Sequence, residues 1–174
     1  MQNHSRRRCL AWIGAGLCSS VTFAHTPDSS NIGLGRIVLR VYAPPSSDQI
    51  QQTVTFDLAA IKALPQVSFS SHTPWFKKPV TFTGPLLRDV LNAAQIQSGR
   101  VLKAIALDDY SVNIPWSDTT TFDMIVAHSI NDVPLTARTK GPLFVVYPFD
   151  SNLELQSVQY YERAIWQLKS LKVL

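Results

Sequence analysis

The sequence predicts a single α+β domain, with a mixed β-sheet or barrel-like arrangement and few short helices. Three observations predict it. First, 174 residues with 45% hydrophobic and 16% charged side chains are enough for one core, cramped for two, and too apolar for an extended disordered chain. Second, short β-branched or apolar runs recur along the chain between Pro, Gly, Asn and Asp turn residues. Third, only residues 85–94 carry apolar side chains at sustained helical spacing. No repeat, low-complexity stretch or internal linker divides the chain.

The first element is expected to be export machinery rather than fold. Residues 1–24 open with Arg6, Arg7 and Arg8, continue through a mildly apolar stretch, and reach short residues at Thr22 and Ala24. A cationic start followed by an apolar segment and small residues is the physics of a signal peptide, with cleavage placed after Ala24. The stretch is too short and too rich in Gly and Ser for a membrane span, and Leu17 stands where a lipoprotein needs a small residue before Cys18. Ser5-Arg6-Arg7-Arg8-Cys9-Leu10 resembles a twin-arginine signal, and ordinary Sec export fits equally well. Both routes lead to the periplasm. Removing 24 of 174 residues leaves 150, and taking away three arginines turns 16 basic and 12 acidic side chains into 13 and 12. The net charge falls from +4 to +1, and both cysteines, Cys9 and Cys18, go with the signal. A charge of +1 gives no footprint for nucleic acid.

Residues 25–35 read as a flexible leader and 36–174 as the domain. Residues 35–42 are apolar and β-branched, a first strand, and residues 43–48 with two prolines break it. Thr53-Val54-Thr55-Phe56 is a second strand. Asp57 then caps a short helix through Leu58, Ile61 and Leu64 that Pro65 stops. Residues 67–71 and Pro79-Val80-Thr81-Phe82-Thr83 are further strands. In 85–94, Leu86, Leu87, Val90, Leu91 and Ala94 mark a helical face with Pro85 in its first turn. Strands are expected over 101–107 and 111–114, a loop or short helix over 116–123, and a buried strand over 124–130. Asn131-Asp132 supplies a turn, residues 143–147 a compact strand, 153–163 a helical turn, and 165–174 a closing strand with Leu171 and Val173 facing one way.

Few of these residues announce chemistry. His25, His72 and His128 show no metal-ligand spacing. His25 at a new N-terminus would offer copper an amine and an imidazole, but chelation needs a further ligand. Asp108 and Asp109 are adjacent, and neighbours on a strand point apart, so they read as a solvated turn. No Gly-x-Ser-x-Gly elbow or Gly-x-Gly-x-x-Gly fingerprint occurs. Arg138-Thr139-Lys140-Gly141-Pro142 is more informative: two alternating cations before a tight turn offer an anion both charges and a backbone N–H. A solvated basic loop is the alternative. Trp75, Trp116, Tyr147, Tyr160, Tyr161 and Trp166 supply either a pocket wall or core.

The order of several segments carries a resemblance. These are Phe82-Thr83-Gly84-Pro85-Leu86-Leu87-Arg88-Asp89-Val90-Leu91, the run from Ala104 through Asp108-Asp109-Tyr110 to Val112, Val133-Pro134-Leu135, the run from Lys140-Gly141-Pro142 to Pro148, and the closing run from Ile165 to Val173. From about Phe56 to the C-terminus the chain resembles the sulfite oxidase-type molybdopterin-binding domain, and most nearly its small exported bacterial members. The resemblance implies that fold and a molybdopterin-dependent oxidoreductase. It also implies a cysteine thiolate on molybdenum four residues before a tryptophan. Counting back from Trp75 gives Ser71, a far poorer soft ligand with a much less acidic proton. Trp166 stands where the resemblance implies a pterin-phosphate lysine, and Phe144 where it implies an arginine.

Two main readings follow. In the first, the domain is a binding module that keeps the cleft and holds a small anionic ligand or a periplasmic protein partner through Ser71, His72, Trp75, Asp109, Tyr110, Arg138, Lys140 and Tyr147. It would carry no cofactor and no metal. In the second, it is an oxidoreductase that binds molybdopterin with non-standard ligation. A structural protein without a small ligand is a third reading, resting on the aromatic residues as a contact patch. No catalytic residue is assigned, and whether the domain is an enzyme stays open.

Overall fold

The computed structural model describes residues 31–32, 35–44 and 52–174. The expected signal peptide, its cleavage point, most of the leader and most of the break at 43–48 lie outside the described residues. In chain order the elements are β1 (Asn31–Ile32), β2 (Ile37–Tyr42), β3 (Thr53–Asp57), α1 (Leu58–Ala63), β4 (Gln66–Thr73), β5 (Phe76–Pro85), α2 (Leu87–Ala93), β6 (Val101–Ala106) and β7 (Ser111–Pro115). Then come α3 (Trp116–Thr121), β8 (Ile125–Ala127), β9 (Ser129–Ile130), β10 (Val133–Pro134), β11 (Phe144–Val146), two 3-10 turns (Phe149–Ser151 and Leu153–Leu155), α4 (Val158–Arg163) and β12 (Leu168–Val173). None of these helices is long and apolar enough to cross a membrane.

The largest sheet runs β1-β3-β2-β12-β6-β7. Its centre is the C-terminal strand, which pairs in parallel with β2 and antiparallel with β6. This is why the domain needs its last residues: β12 joins the two halves of the sheet. Alternation does the burying. Leu39 and Val41 of β2 and Leu102, Ala104 and Ala106 of β6 point inward, while their neighbours stay partly or fully exposed. A second sheet runs β10-β9-β5-β4. Between the sheets lies the β8–β11 ribbon, every residue of which is buried, so both strands read as continuous apolar runs without alternation. At Gly84 of β5 an added Cβ would collide with the Val126 carbonyl, so glycine permits the approach of β5 to β8.

Most expected elements are present, and the mixed α+β architecture is as predicted. Asp57 caps α1 by accepting from the Ala60 N–H at 2.7 Å. Asn131 and Asp132 both have positive φ, 48° and 63°, the two-residue turn that matches hairpin twist. Four details differ. Asn31–Ile32, inside the stretch read as leader, pairs with β3 as β1. The strand expected at Pro79–Thr83 extends over Phe76–Pro85, so Pro85 ends β5 instead of entering the helix, and α2 starts after Leu86. The single strand expected over 124–130 is two, because the chain changes partners at His128: β8 pairs with β11, and β9 with β5 and β10. The closing strand begins at Leu168, since Ile165 is engaged in a bridge to Val145.

Candidate functional site

Trp75, in the β4–β5 turn, is the hub of the site. Its ring meets the buried Phe144 and Phe149, at centroid distances of 5.6 and 6.0 Å, and Trp166 and Tyr161, at 5.6 and 6.3 Å. Beside Trp75, Tyr161 and Trp166 opens a cavity of about 530 Å³. Four segments build it: the β4–β5 turn with Pro74 and Trp75, the β6–β7 turn with Asp108 and Tyr110, α4 with Val158, Tyr161 and Glu162, and the link to β12 with Ile165 and Trp166. The β6–β7 turn is held by local bonds. Asp109 takes a positive φ of 68°, and the Tyr110 N–H donates to the Asp108 carboxylate at 3.1 Å.

Behind α4 lies a buried polar network that sequence reasoning missed. Arg163 donates to Asp118 Oδ2 at 2.8 Å, and the Tyr147 hydroxyl donates to the same oxygen at 2.7 Å. Asp118 and Tyr147 are buried, and the Arg163 side chain is 18% exposed. Burial, and then the bond to Asp118, push the Tyr147 phenol far above its usual range. Tyr160 stacks under Arg163 at 4.9 Å and donates to Glu154 at 2.5 Å. That bond is the main cause of its raised phenol. Nothing in the spacing of Asp118, Tyr147 and Arg163 marks them as a unit, because they come from three elements.

The structure divides the eight expected ligand residues. Trp75 and Tyr110 line the cavity, and Tyr110 is 57% exposed. Tyr147, expected among them, belongs to the core, where its hydroxyl is committed to Asp118. Asp109 points to solvent and pairs with Lys169 at 2.6 Å, which holds its carboxyl below the usual value, first through that hydrogen bond and then through charge. Its neighbour Asp108 is the one that lines the cavity. Arg138 is exposed on the turn after β10, away from the cavity lining. In that turn, from which a backbone N–H was expected to face an anion, the Gly141 N–H donates to the Thr136 carbonyl at 2.7 Å. Lys140 folds back: its ammonium sits 3.9 Å from the Trp166 ring centroid, and partial burial lowers its pKa. It lines a second, smaller cavity of about 260 Å³ with Phe76, Ile130 and Leu135. The Lys140–Trp166 contact therefore stands between the two cavities.

Ser71 and His72 form a closed cluster with Asp150. Ser71 is 1% exposed; its hydroxyl donates to the His72 carbonyl at 3.1 Å and accepts the Asp150 N–H at 3.2 Å. Asp150 in turn accepts both the backbone N–H and the ring Nδ1 of His72 at 2.9 Å. Its partial burial acts to raise the carboxyl, but the His72 backbone bond, ring bond and charge together hold it below its ordinary value.

The oxidoreductase molybdopterin binding domain matches residues 46–151, more than half of the chain. The chain belongs to the oxidoreductase molybdopterin binding domain family. The expected sulfite oxidase-type fold agrees with the solved structures: the sulfane dehydrogenase SoxCD from Paracoccus pantotrophus superposes with a TM-score of 0.56 at 13% identity, over 82% of this chain and 39% of that one. At this identity the likeness concerns the fold, and the chain spans well under half the length of that relative. No curated protein matches.

Family membership makes molybdopterin the cofactor to test against these residues. Ser71 does not fit the role of metal ligand. Its hydroxyl proton is spent on a carbonyl and its oxygen on an amide, and the residue is 1% exposed. Deprotonating it would leave an alkoxide facing the His72 carbonyl oxygen, a repulsive pair. Among the described residues no group of three or more His, Cys, Asp or Glu side chains is arranged to hold a metal ion.

Proposed function

We propose that this is an exported binding module on a molybdopterin-type fold, with the cavity beside Trp75 as its site. One observation carries the reading: the Ser71 hydroxyl is taken up by its own hydrogen bonds, while an aromatic cavity lined by Trp75 stands open. A cavity of about 530 Å³ lies within the usual range for small-ligand sites, about 300 to 1,000 Å³. The cationic start of the chain supports export to the periplasm. Tyr110, Val158 and Trp166 at the exposed rim would also serve a periplasmic protein partner.

A second reading has a specific observation behind it, the family match itself: a molybdopterin-dependent oxidoreductase whose cofactor is held without a protein ligand to the metal. The two separate in one experiment. Protein exported from a molybdenum-replete host is purified, its metal content measured, and released pterin assayed by fluorescence after oxidation. The binding-module reading expects far less than one molybdenum per chain. Stoichiometric molybdenum with pterin would establish the second reading and end the first.

A further inference from the structure

We infer that the cavity beside Trp75 takes a small organic cation, an alkylated or quaternary ammonium, rather than an anion; this deepens the binding-module reading and rests on it. The charges decide the sign. Asp108 and Glu162 are the ionisable acids in the lining, and no lysine, arginine or histidine joins them. The nearby cations lie outside the lining and are already engaged: Lys169 by Asp109, Arg163, in an adjoining hollow with Tyr110 and Glu162, by Asp118, and Lys140 by the Trp166 ring. An anion in this cavity would meet two carboxylates with nothing to neutralise it. A cation meets them both.

The rings decide the class. Tyr161 and Trp166 stand at 80° and 85° to Trp75, so each makes a wall near a right angle to that ring instead of stacking on it. Walls set this way offer π faces and edges around one volume, and π faces attract cations. Trp166 already does so, with the Lys140 ammonium 3.9 Å from its centroid. A methylated ammonium suits such a box better than a hydrated metal ion, because its charge is spread over a hydrophobic surface that loses little hydration on contact with aromatic carbon. A hard divalent ion needs several oxygen ligands, and the lining brings two carboxylates, one of which already accepts the Tyr110 N–H.

The test uses the purified full-length exported protein and three probes: tetramethylammonium, tert-butanol as a neutral compound with the same number of heavy atoms, and sulfate as an anion. Tryptophan fluorescence and titration calorimetry read binding, with ionic strength held constant by sodium chloride. Saturable tetramethylammonium binding is expected, with tert-butanol weaker by about tenfold. Trp166→Leu should weaken the cation by about tenfold. The double variant Asp108→Asn with Glu162→Gln, which keeps side-chain shape, should weaken it by at least about fivefold while leaving tert-butanol unchanged. Equal or tighter binding of tert-butanol or sulfate overturns the cation and leaves the binding module standing. Tetramethylammonium that fails to bind overturns it too, as does binding indifferent to all of these substitutions. The molybdenum measurement is separate, so failure of the binding-module reading is recognised independently.

Discussion

The two sides of α4 solve opposite problems with similar residues. On one side, Arg163 and Tyr160 join the buried Asp118 and Tyr147 and the exposed Glu154 in bonds that commit the guanidinium and both phenols to carboxylates. Toward the cavity, Tyr161 and Glu162 of the same helix stand with Asp108 and Trp166 around open volume. Charge inside is worth little unless fully paired, since removing water costs more than an imperfect contact returns. Charge at a cavity rim keeps its hydration until a ligand arrives. The difference teaches that the inner face holds α4 in place, and the outer face is what that placement presents.

Breaking the inner face should have the largest effect. Asp118→Ala leaves the Arg163 charge and the Tyr147 hydroxyl without their shared acceptor and is expected to destabilise by about 3 kcal/mol in urea unfolding. Because Arg163 ends α4, the same variant should also weaken tetramethylammonium binding. Next, Ser71→Ala strands the Asp150 N–H beside a methyl group and should cost about 2 kcal/mol. If Ser71 instead served a bound cofactor, the apo protein would be indifferent to this change. Tyr147→Phe is milder, about 1 kcal/mol, because Arg163 still satisfies Asp118.

The acid response gives a smaller contrast. A carboxyl held low in the fold adds stability above its unfolded range, near pH about 4, and loses that contribution as the pH falls through the lowered folded value. Asp150, held low by His72, should behave so, and Asp150→Asn should flatten the stability curve below pH about 4 without altering its neutral-pH shape. Asp109→Asn should change thermal stability least of all. Its carboxylate is in water, and its bond to Lys169 is screened. A large loss there would mean that the β6–β7 turn depends on the ion pair, not on its backbone conformation.

How far the sequence was legible depends on the range of the interaction. The Asp57 cap, the Asn131-Asp132 turn and the alternation in β2 and β6 are local, set by residues within a few positions of one another, and all are present as expected. Misreadings fall where a distant partner intervenes. Residues 124–130 look like one apolar strand, but His128 is where pairing passes from β11 to β5, and no local signal records a change of neighbour. Pro85 suits a helix start, yet it pairs with Gln66 of β4, 19 residues away, which carries β5 one residue past the glycine. At the site, Trp75 is singled out by its spacing from Ser71 and Tyr110 by the Asp108-Asp109-Tyr110 segment, and both line the cavity. Tyr147 was misassigned because a tyrosine in a buried strand looks the same in sequence whether its hydroxyl meets a ligand or Asp118.

By itself the sequence determined an α+β fold, its short elements, a basic first segment ahead of a nearly neutral remainder, and a serine four residues before Trp75. Only the tertiary structure decided what those residues face. It closed Ser71 against Asp150 from 79 residues away, turned Asp108 and not Asp109 to the cavity, and laid Lys140 on Trp166 instead of before an anion. The physical reason is that backbone preference and periodicity act over a few residues, whereas the partner of a polar or aromatic side chain is chosen by packing between segments far apart in the chain.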